Sequence, residues 1–334
     1  MSERAANTTD EMNKQLKQRS GMVMLFSRLI REKPMGTIGL VLVILLFASG
    51  ILADVIAPYG MNEFTLSDRL AGYSAKHWLG ADNVGRDVLS RIIYGARISM
   101  IVGVSATLLS TISSTAIGLT SGFIGGKTDL IVQRFIDAWL CFPGLVIYLT
   151  MMSIIGAGML QVILVLGIGG GIGASRGSRA LAFWIKESAY VESARAMGAT
   201  TGRIVIKHLL PNVMPLIIVG FSMGIGGIIL AEASLSFLGF GIPPPQPSWG
   251  GMLSGEARRY MYQAPWMALW PGVALTLAVY GVNMFGDALR DLIDPRLRGG
   301  IGGMGAYGSE RAYKALKKLE DKKSKESKKF KRII

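Results

Sequence analysis

The chain has 334 residues, of which 50% are hydrophobic and 17% charged, with a formal net charge of +14. A soluble domain carries about a quarter charged residues, so this balance excludes an ordinary globular enzyme and points to a polytopic membrane protein. One cysteine (Cys141) and two histidines (His77 and His208) exclude an internal disulfide framework, a cysteine-rich zinc site and a multi-histidine metal centre.

The first predicted element is a helix lying in the membrane interface. Met22, Leu25, Phe26, Leu29 and Ile30 recur at helical spacing beside Arg28, Arg31 and Lys33, and Pro34 then marks a bend into the bilayer. The 20 uncharged residues between Lys33 and Asp54 suffice for a first span, read as a retained anchor because mostly polar residues precede it. A second span falls in the 29 residues between Arg97 and Lys127. The 38 between Asp137 and Arg176 are too many for one helix, and Gly156-Ala157-Gly158 suggests a hairpin of two spans. The 23 residues between His208 and Glu232 and the 27 between Arg259 and Asp287 complete six spans.

Orientation follows from the lysines and arginines. With the N-terminus inside, 29 of the 36 lie on the cytoplasmic side; without the 11 beyond residue 310, the balance is still 18 against 7. Both termini are therefore expected inside. The basic tail itself reads as a solvated or lipid-facing extension, and nucleic acid is not expected as a partner. The pairs Gly118/Gly122 and Gly220/Gly224 and the glycine-dense Gly167–Gly173 suit close helix packing in a bundle that rearranges.

Two motifs are decoys. Ser121–Thr128 resembles a phosphate-binding loop, but serine stands where its first glycine belongs, and a membrane span precedes it in place of a strand. Gly169–Ala174 imitates a dinucleotide fingerprint inside a span. No catalytic pair is legible. Glu232 and Asn283 are candidate pathway residues, since polar groups within spans are expensive, while Asp137 is expected to pair with Arg134 at the inner surface.

Residues 176–211 form the long cytoplasmic loop. At its centre, Tyr190–Thr200 reads as a short helix of small residues closed by Gly198, a compact knob in which Ala194 and Ala196 would admit a partner and Glu192 and Arg195 would pair with it. This loop resembles the EAA loop of ABC-importer permeases: Glu192, Ala194, Gly198, Leu210 and Pro211 match at the right spacing, with Ser193 and His208 as departures. His77–Ser99, Ala231–Gly250 and Asp287–Arg298 resemble further stretches of the dipeptide, oligopeptide and nickel branch.

The resemblance implies an all-α membrane protein with six spans, N-in and C-in, of the type I importer-permease fold, in a prokaryotic cell membrane. It divides the chain into a cytoplasmic N-terminus (1–35), a first span and outer loop (36–97), a five-span core (98–290) and a basic tail (291–334). It implies a subunit that is not itself an enzyme, carries no cofactor and passes di- or oligopeptides, with nickel or another small solute as the alternative. An ion-coupled secondary transporter is a more distant one, for which inverted repeats and midplane carboxylates are not apparent. Implied partners are a second, homologous permease, two ATPase subunits that bind ATP and Mg, membrane lipid, and an extracytoplasmic binding protein that delivers solute to residues 58–97 and 240–264. Glu192, Ala194, Arg195, Gly198, Leu210 and Pro211 would couple to the ATPases. Trp249, Trp266 and Trp270 are expected near the outer interface.

Overall fold

The computed structural model describes residues 21–293. The N-terminal twenty residues and the basic tail, with the expectations placed on them, lie outside it. The described residues up to Leu289 form one compact unit; of the second, which begins at Arg290, the described part is the last turn of a helix. Among the described residues the regular structure is helical, apart from one isolated bridge between Ala81 and Asp87.

The interfacial helix α1 spans Gly21–Glu32, and Pro34 opens α2, Pro34–Ile51, at the first-turn position where its missing N–H costs nothing. A single turn, α3 (Ala53–Ile56), follows. The second span, α4, runs over Val88–Ile124 and so begins ten residues before the expected start. Its charges are satisfied along the way. Arg97 donates to the Gly50 carbonyl at 2.8 Å and pairs with Asp54 at 2.8 Å, so it need not end the helix.

The third span, expected to begin after Asp137, is the second arm of a bent pair whose first arm fills the expected inner loop. Helix α5 (Gly126–Leu140) meets α6 (Gly144–Ile155) at 88° across Cys141-Phe142-Pro143. With about 1.5 Å of rise per residue, α6 is too short to cross a ~30 Å hydrocarbon core alone. The hairpin turn falls where the glycines put it, with Gly156 at φ +94°. Helix α7 then runs unbroken over Met159–Lys186, eleven residues into the expected loop. Beyond it lie α8 (Ala189–Ala196), α9 (Thr201–Ile204), a π-turn (Val205–Leu209), α10 (Leu210–Phe237), the short α11 (Trp249–Leu253) and α12 (Gly255–Arg259), and α13 (Trp266–Ile293). Among the described residues five helices are long and apolar enough to cross a membrane, six if the bent pair counts as one span.

Small residues explain the packing. A Cβ at Gly118 would lie 2.3 Å from the Ser175 carbonyl oxygen, and one at Gly171 would lie 2.6 Å from the Ser113 Cβ, so α4 and α7 touch backbone to backbone. Gly39 similarly admits α13, since a Cβ there would lie 2.7 Å from the Gly281 carbonyl. The pair on α10 behaves differently: Gly224 approaches Thr107, but Gly220 faces open space.

At one end of the bundle, two distant segments build a single cap. Asp82 accepts from the amides of Val84 (3.0 Å) and Arg86 (2.9 Å) and from the Arg86 side chain (2.6 Å). Gly85 takes φ +84° against the Thr65 carbonyl, and Asp87 then caps α4 by accepting from the Ser90 amide at 2.8 Å. The stretch Asp82–Asp87 is thus a turn that starts a span. Residues 238–270 close onto it: Trp266 Nε1 donates to the Ala81 carbonyl (3.1 Å), Arg69 to the Tyr260 hydroxyl (3.0 Å) and Asn83 to Glu256 (3.2 Å). Trp270 donates to the Tyr73 hydroxyl at 3.3 Å. Trp249 departs from expectation. It is 1% exposed, donates to the Ile92 carbonyl at 3.1 Å, and packs the inside of the cap in place of an interface.

Candidate functional site

The opposite end of the bundle carries the knob. Val191 and Ala194 of α8, with Ile204 and Leu209 beyond it, pack against Leu119 and Phe123 of α4, Ala182 and Ile185 of α7, and Val213 of α10. The knob is therefore seated on the ends of three long helices by apolar burial, the strongest non-directional term available to it. The i, i+3 spacing of Val191 and Ala194 turns both inward.

The turn behind it is a Schellman motif. The Gly198 amide donates to the Arg195 carbonyl at 2.9 Å and the Ala199 amide to the Ala194 carbonyl at 3.0 Å, with Gly198 at φ +79°. A Cβ at Gly198 would meet nothing within 4 Å, so glycine serves the backbone angle here and not close packing. Thr200 then caps α9, its hydroxyl accepting from the Arg203 amide at 3.4 Å. Ser193 bonds back to the Ala189 carbonyl at 2.8 Å, so this departure from the motif leaves no free hydroxyl.

The structure separates the expected coupling residues. Glu192, Arg195 and Gly198 are exposed, whereas Ala194 is 2% exposed and faces the protein's own core, which corrects its assignment to the contact face. Arg195 holds its guanidinium 4.9 Å from the Phe123 ring centroid, so one face of its charge is already engaged. Leu210 and Pro211 stand in the stem, at the start of α10. The Leu210 amide reaches the Val205 carbonyl, closing the π-turn that holds His208, and the Asn212 side chain donates to the His208 carbonyl at 2.7 Å. Pro211 has no N–H to give Lys207, which fits a widened turn at this position. Sequence reasoning missed Met197. It is 81% exposed at the tip, between Ala196 and Gly198. Its signal was an apolar residue set directly before a left-handed glycine, where no core awaits it.

Glu232 and Asn283 stand in different surroundings. Glu232 is 1% exposed, one carboxyl oxygen accepting from Ser236 Oγ at 2.6 Å while the other has no partner among the described residues. It lies under the cap, beside the Ser236 that the Ile242 amide also approaches. Asn283, on α13, is exposed, its Oδ1 2.6 Å from where a Cβ on Gly226 would stand. No group of three or more metal-ligating side chains occurs among the described residues.

A bundle of apolar helices with a rigid exposed knob at one end and a built cap at the other defines a membrane transport component. Residues 114–299 match the family described as binding-protein-dependent transport system inner membrane component. The chain is 41% identical to the glutathione transport system permease protein GsiD of Pectobacterium atrosepticum over 257 residues, 77% of this chain and 85% of that one. It is 35% identical to the dipeptide transport system permease protein DppC of Alkalihalophilus pseudofirmus over 269 residues, 80% and 88% of the two chains. An inward-facing MetNI methionine ABC transporter chain superposes with a TM-score of 0.49 at 19% identity, over 60% of this chain and 96% of that one. The protein belongs to the inner membrane components of binding-protein-dependent transport systems, in their peptide, oligopeptide and nickel ABC-permease branch. It is a multi-pass membrane protein with the permease fold.

Proposed function

We propose that this chain is the membrane-spanning, non-catalytic subunit of an ATP-driven importer that passes small peptides, working with a second, homologous permease in a prokaryotic cell membrane. ATP and Mg would be held by two separate ATPase subunits. The knob of Glu192–Gly198 lies on the cytoplasmic side in this reading, as the positive-inside balance requires, and enters a cleft on an ATPase. The cap lies outside and receives solute from a binding protein. The observation that carries the proposal is the seating of the knob. Its outer surface is free, while its inner surface is packed into the ends of α4, α7 and α10, so a push on it moves three helices at once. Glu192, Arg195, Gly198 and Met197 would form the contact; Ala194, Leu210 and Pro211 would hold it in place.

The test is uptake by the reconstituted transporter. Binding protein, both permeases and both ATPases are placed in vesicles, and labelled dipeptide, glutathione and nickel are offered separately. ATP-dependent accumulation of dipeptide or glutathione is the expected result. Accumulation of nickel alone would replace the solute, and accumulation driven by an ion gradient without ATP would overturn the mechanism.

A further inference from the structure

The bent third span leaves α5 with a feature that transport does not account for. Its side away from the bundle carries Ile131 and Phe135, an exposed apolar pair at i, i+4 spacing. Its other side meets α7 in a cleft of about 510 Å³. Polar side chains line it: Asp129, Gln133, Arg134 and Asp137 from α5, and Arg176 and Arg179 from α7. Arg179 is fully used, holding Asp129 through two bonds of 2.6 and 2.5 Å and lying 4.5 Å over the Phe183 ring. Asp137, by contrast, is shared between two arginines. Arg176 approaches it closely and Arg134 reaches it at 3.3 Å while remaining 75% exposed. Each guanidinium has five N–H donors, so most of those on Arg134 and Arg176 meet no acceptor among the described residues. The Gln133 amide nitrogen is buried in the same cleft without an acceptor among the described residues. Three cations (Arg134, Arg176 and Arg179) stand against two carboxylates.

We infer that this cleft binds the phosphate of an anionic phospholipid of the inner leaflet. A phosphodiester offers two non-bridging oxygens, the acceptors that Arg134, Arg176 and Gln133 lack, and arginine suits a phosphate by its forked donors. The acyl chains would run along Ile131 and Phe135. The 88° bend turns α5 across the direction of α6, the attitude of an amphipathic helix lying in an interface, so phosphate and acyl chains are met on opposite sides of one helix. The inference rests on the sidedness proposed above, which puts Lys127–Asp137 at the inner surface.

Native mass spectrometry of the purified full chain in detergent tests it, with phosphatidylglycerol, phosphatidylcholine, inorganic phosphate and a dipeptide as probes. One phosphatidylglycerol should be retained per chain. Arg134→Gln should weaken it at least fivefold and the double variant R134Q/R176Q more, while Asp137→Asn, which frees both guanidinia, should strengthen it severalfold. The basic tail is intact in every variant, so its own attraction for lipid cancels. Equal retention by wild type, R134Q and D137N would overturn the inference. So would displacement of the lipid by millimolar phosphate, which marks a soluble-anion site, or by the dipeptide, which marks a solute site. ATPase capture scored on the same samples keeps this result apart from the transport reading, since the knob is unchanged in all three variants.

Discussion

The Ala199 amide donates to the Ala194 carbonyl at 3.0 Å, tying the residue after the knob's glycine to a residue buried beneath the knob. That bond fixes the direction in which Met197 projects. The proposed contact surface is thus one exposed methionine on a closed turn, flanked by Glu192 and a partly engaged Arg195. Interfaces concentrate their energy in a few such anchors. Met197→Ala should weaken retention of the ATPases about tenfold or more, with Arg195→Ala doing less. Gly198→Ala should cost the turn about 1 kcal/mol through its φ, whereas Gly198→Asn, better tolerated there, should retain coupling. Co-purification of ATPases with each variant measures both effects, and undiminished capture by M197A would remove the anchor role.

The seam between α4 and α7 has no room for a side chain at Gly118. Gly118→Val should prevent stable assembly of the bundle, because the added atoms meet backbone and not a movable side chain. Gly220→Ala, which meets nothing within 4 Å, should leave thermal stability in detergent within about 1 kcal/mol of wild type, with a helix-propensity gain in its favour. Comparable melting of the two variants would contradict the packing described.

Sidedness can be read chemically. After Cys141→Ala, a cysteine at the exposed Ser74 of the cap should react with an impermeant thiol reagent added to intact cells, and one at the exposed Ser193 of the knob only after permeabilisation. Ser248 is unsuited to this experiment, being 1% exposed beneath the cap. Labelling of position 193 in intact cells would invert the topology and with it the proposed ATPase and lipid contacts.

In the cap, Lys76 holds the Asp68 carboxyl below its ordinary value of 3.8, against partial desolvation and with help from His77, and Asp68 in turn raises Lys76 above 10.5. A depressed acid contributes stability that is full above about 3.8 and is lost as pH falls through its lower folded value. The raised lysine contributes below 10.5 and loses that contribution as pH climbs past its higher folded value. The cap should therefore loosen at both extremes and be level between them. Tryptophan emission from Trp78 and Trp266, followed against pH, reports it. Asp68→Asn should flatten both limbs, and an unchanged acid limb in that variant would assign it to another carboxylate.

Much of this was legible because uncharged runs are long and helices must satisfy their own backbone in lipid. Pro34, the Gly156 turn and the Gly198 cap all fell where the residue types required. What could not be read was charge that the fold neutralises at a distance. Arg176 and Arg179 looked like the start of a loop, yet Asp137 and Asp129 pair with them across 39 and 50 residues, and α7 runs on to Lys186. Arg97 hid the start of α4 in the same way, its partner Asp54 lying 43 residues earlier. Ala194 and Trp249 were assigned outward because their types suit an interface. Only the packing of other segments shows that each faces in.

The cap also sets an order of events during synthesis. Ala81 and Trp266 are 185 residues apart, so residues 58–87 leave the ribosome long before their counterpart exists. At about 5–20 residues per second, roughly ten to forty seconds separate the two. Through that interval the first loop must wait, on the far side of the membrane in the proposed topology, with the Ala81 carbonyl uncapped. A chaperone or protease on that side meets a half-built surface, and the nascent subunit is most vulnerable before its last span is made.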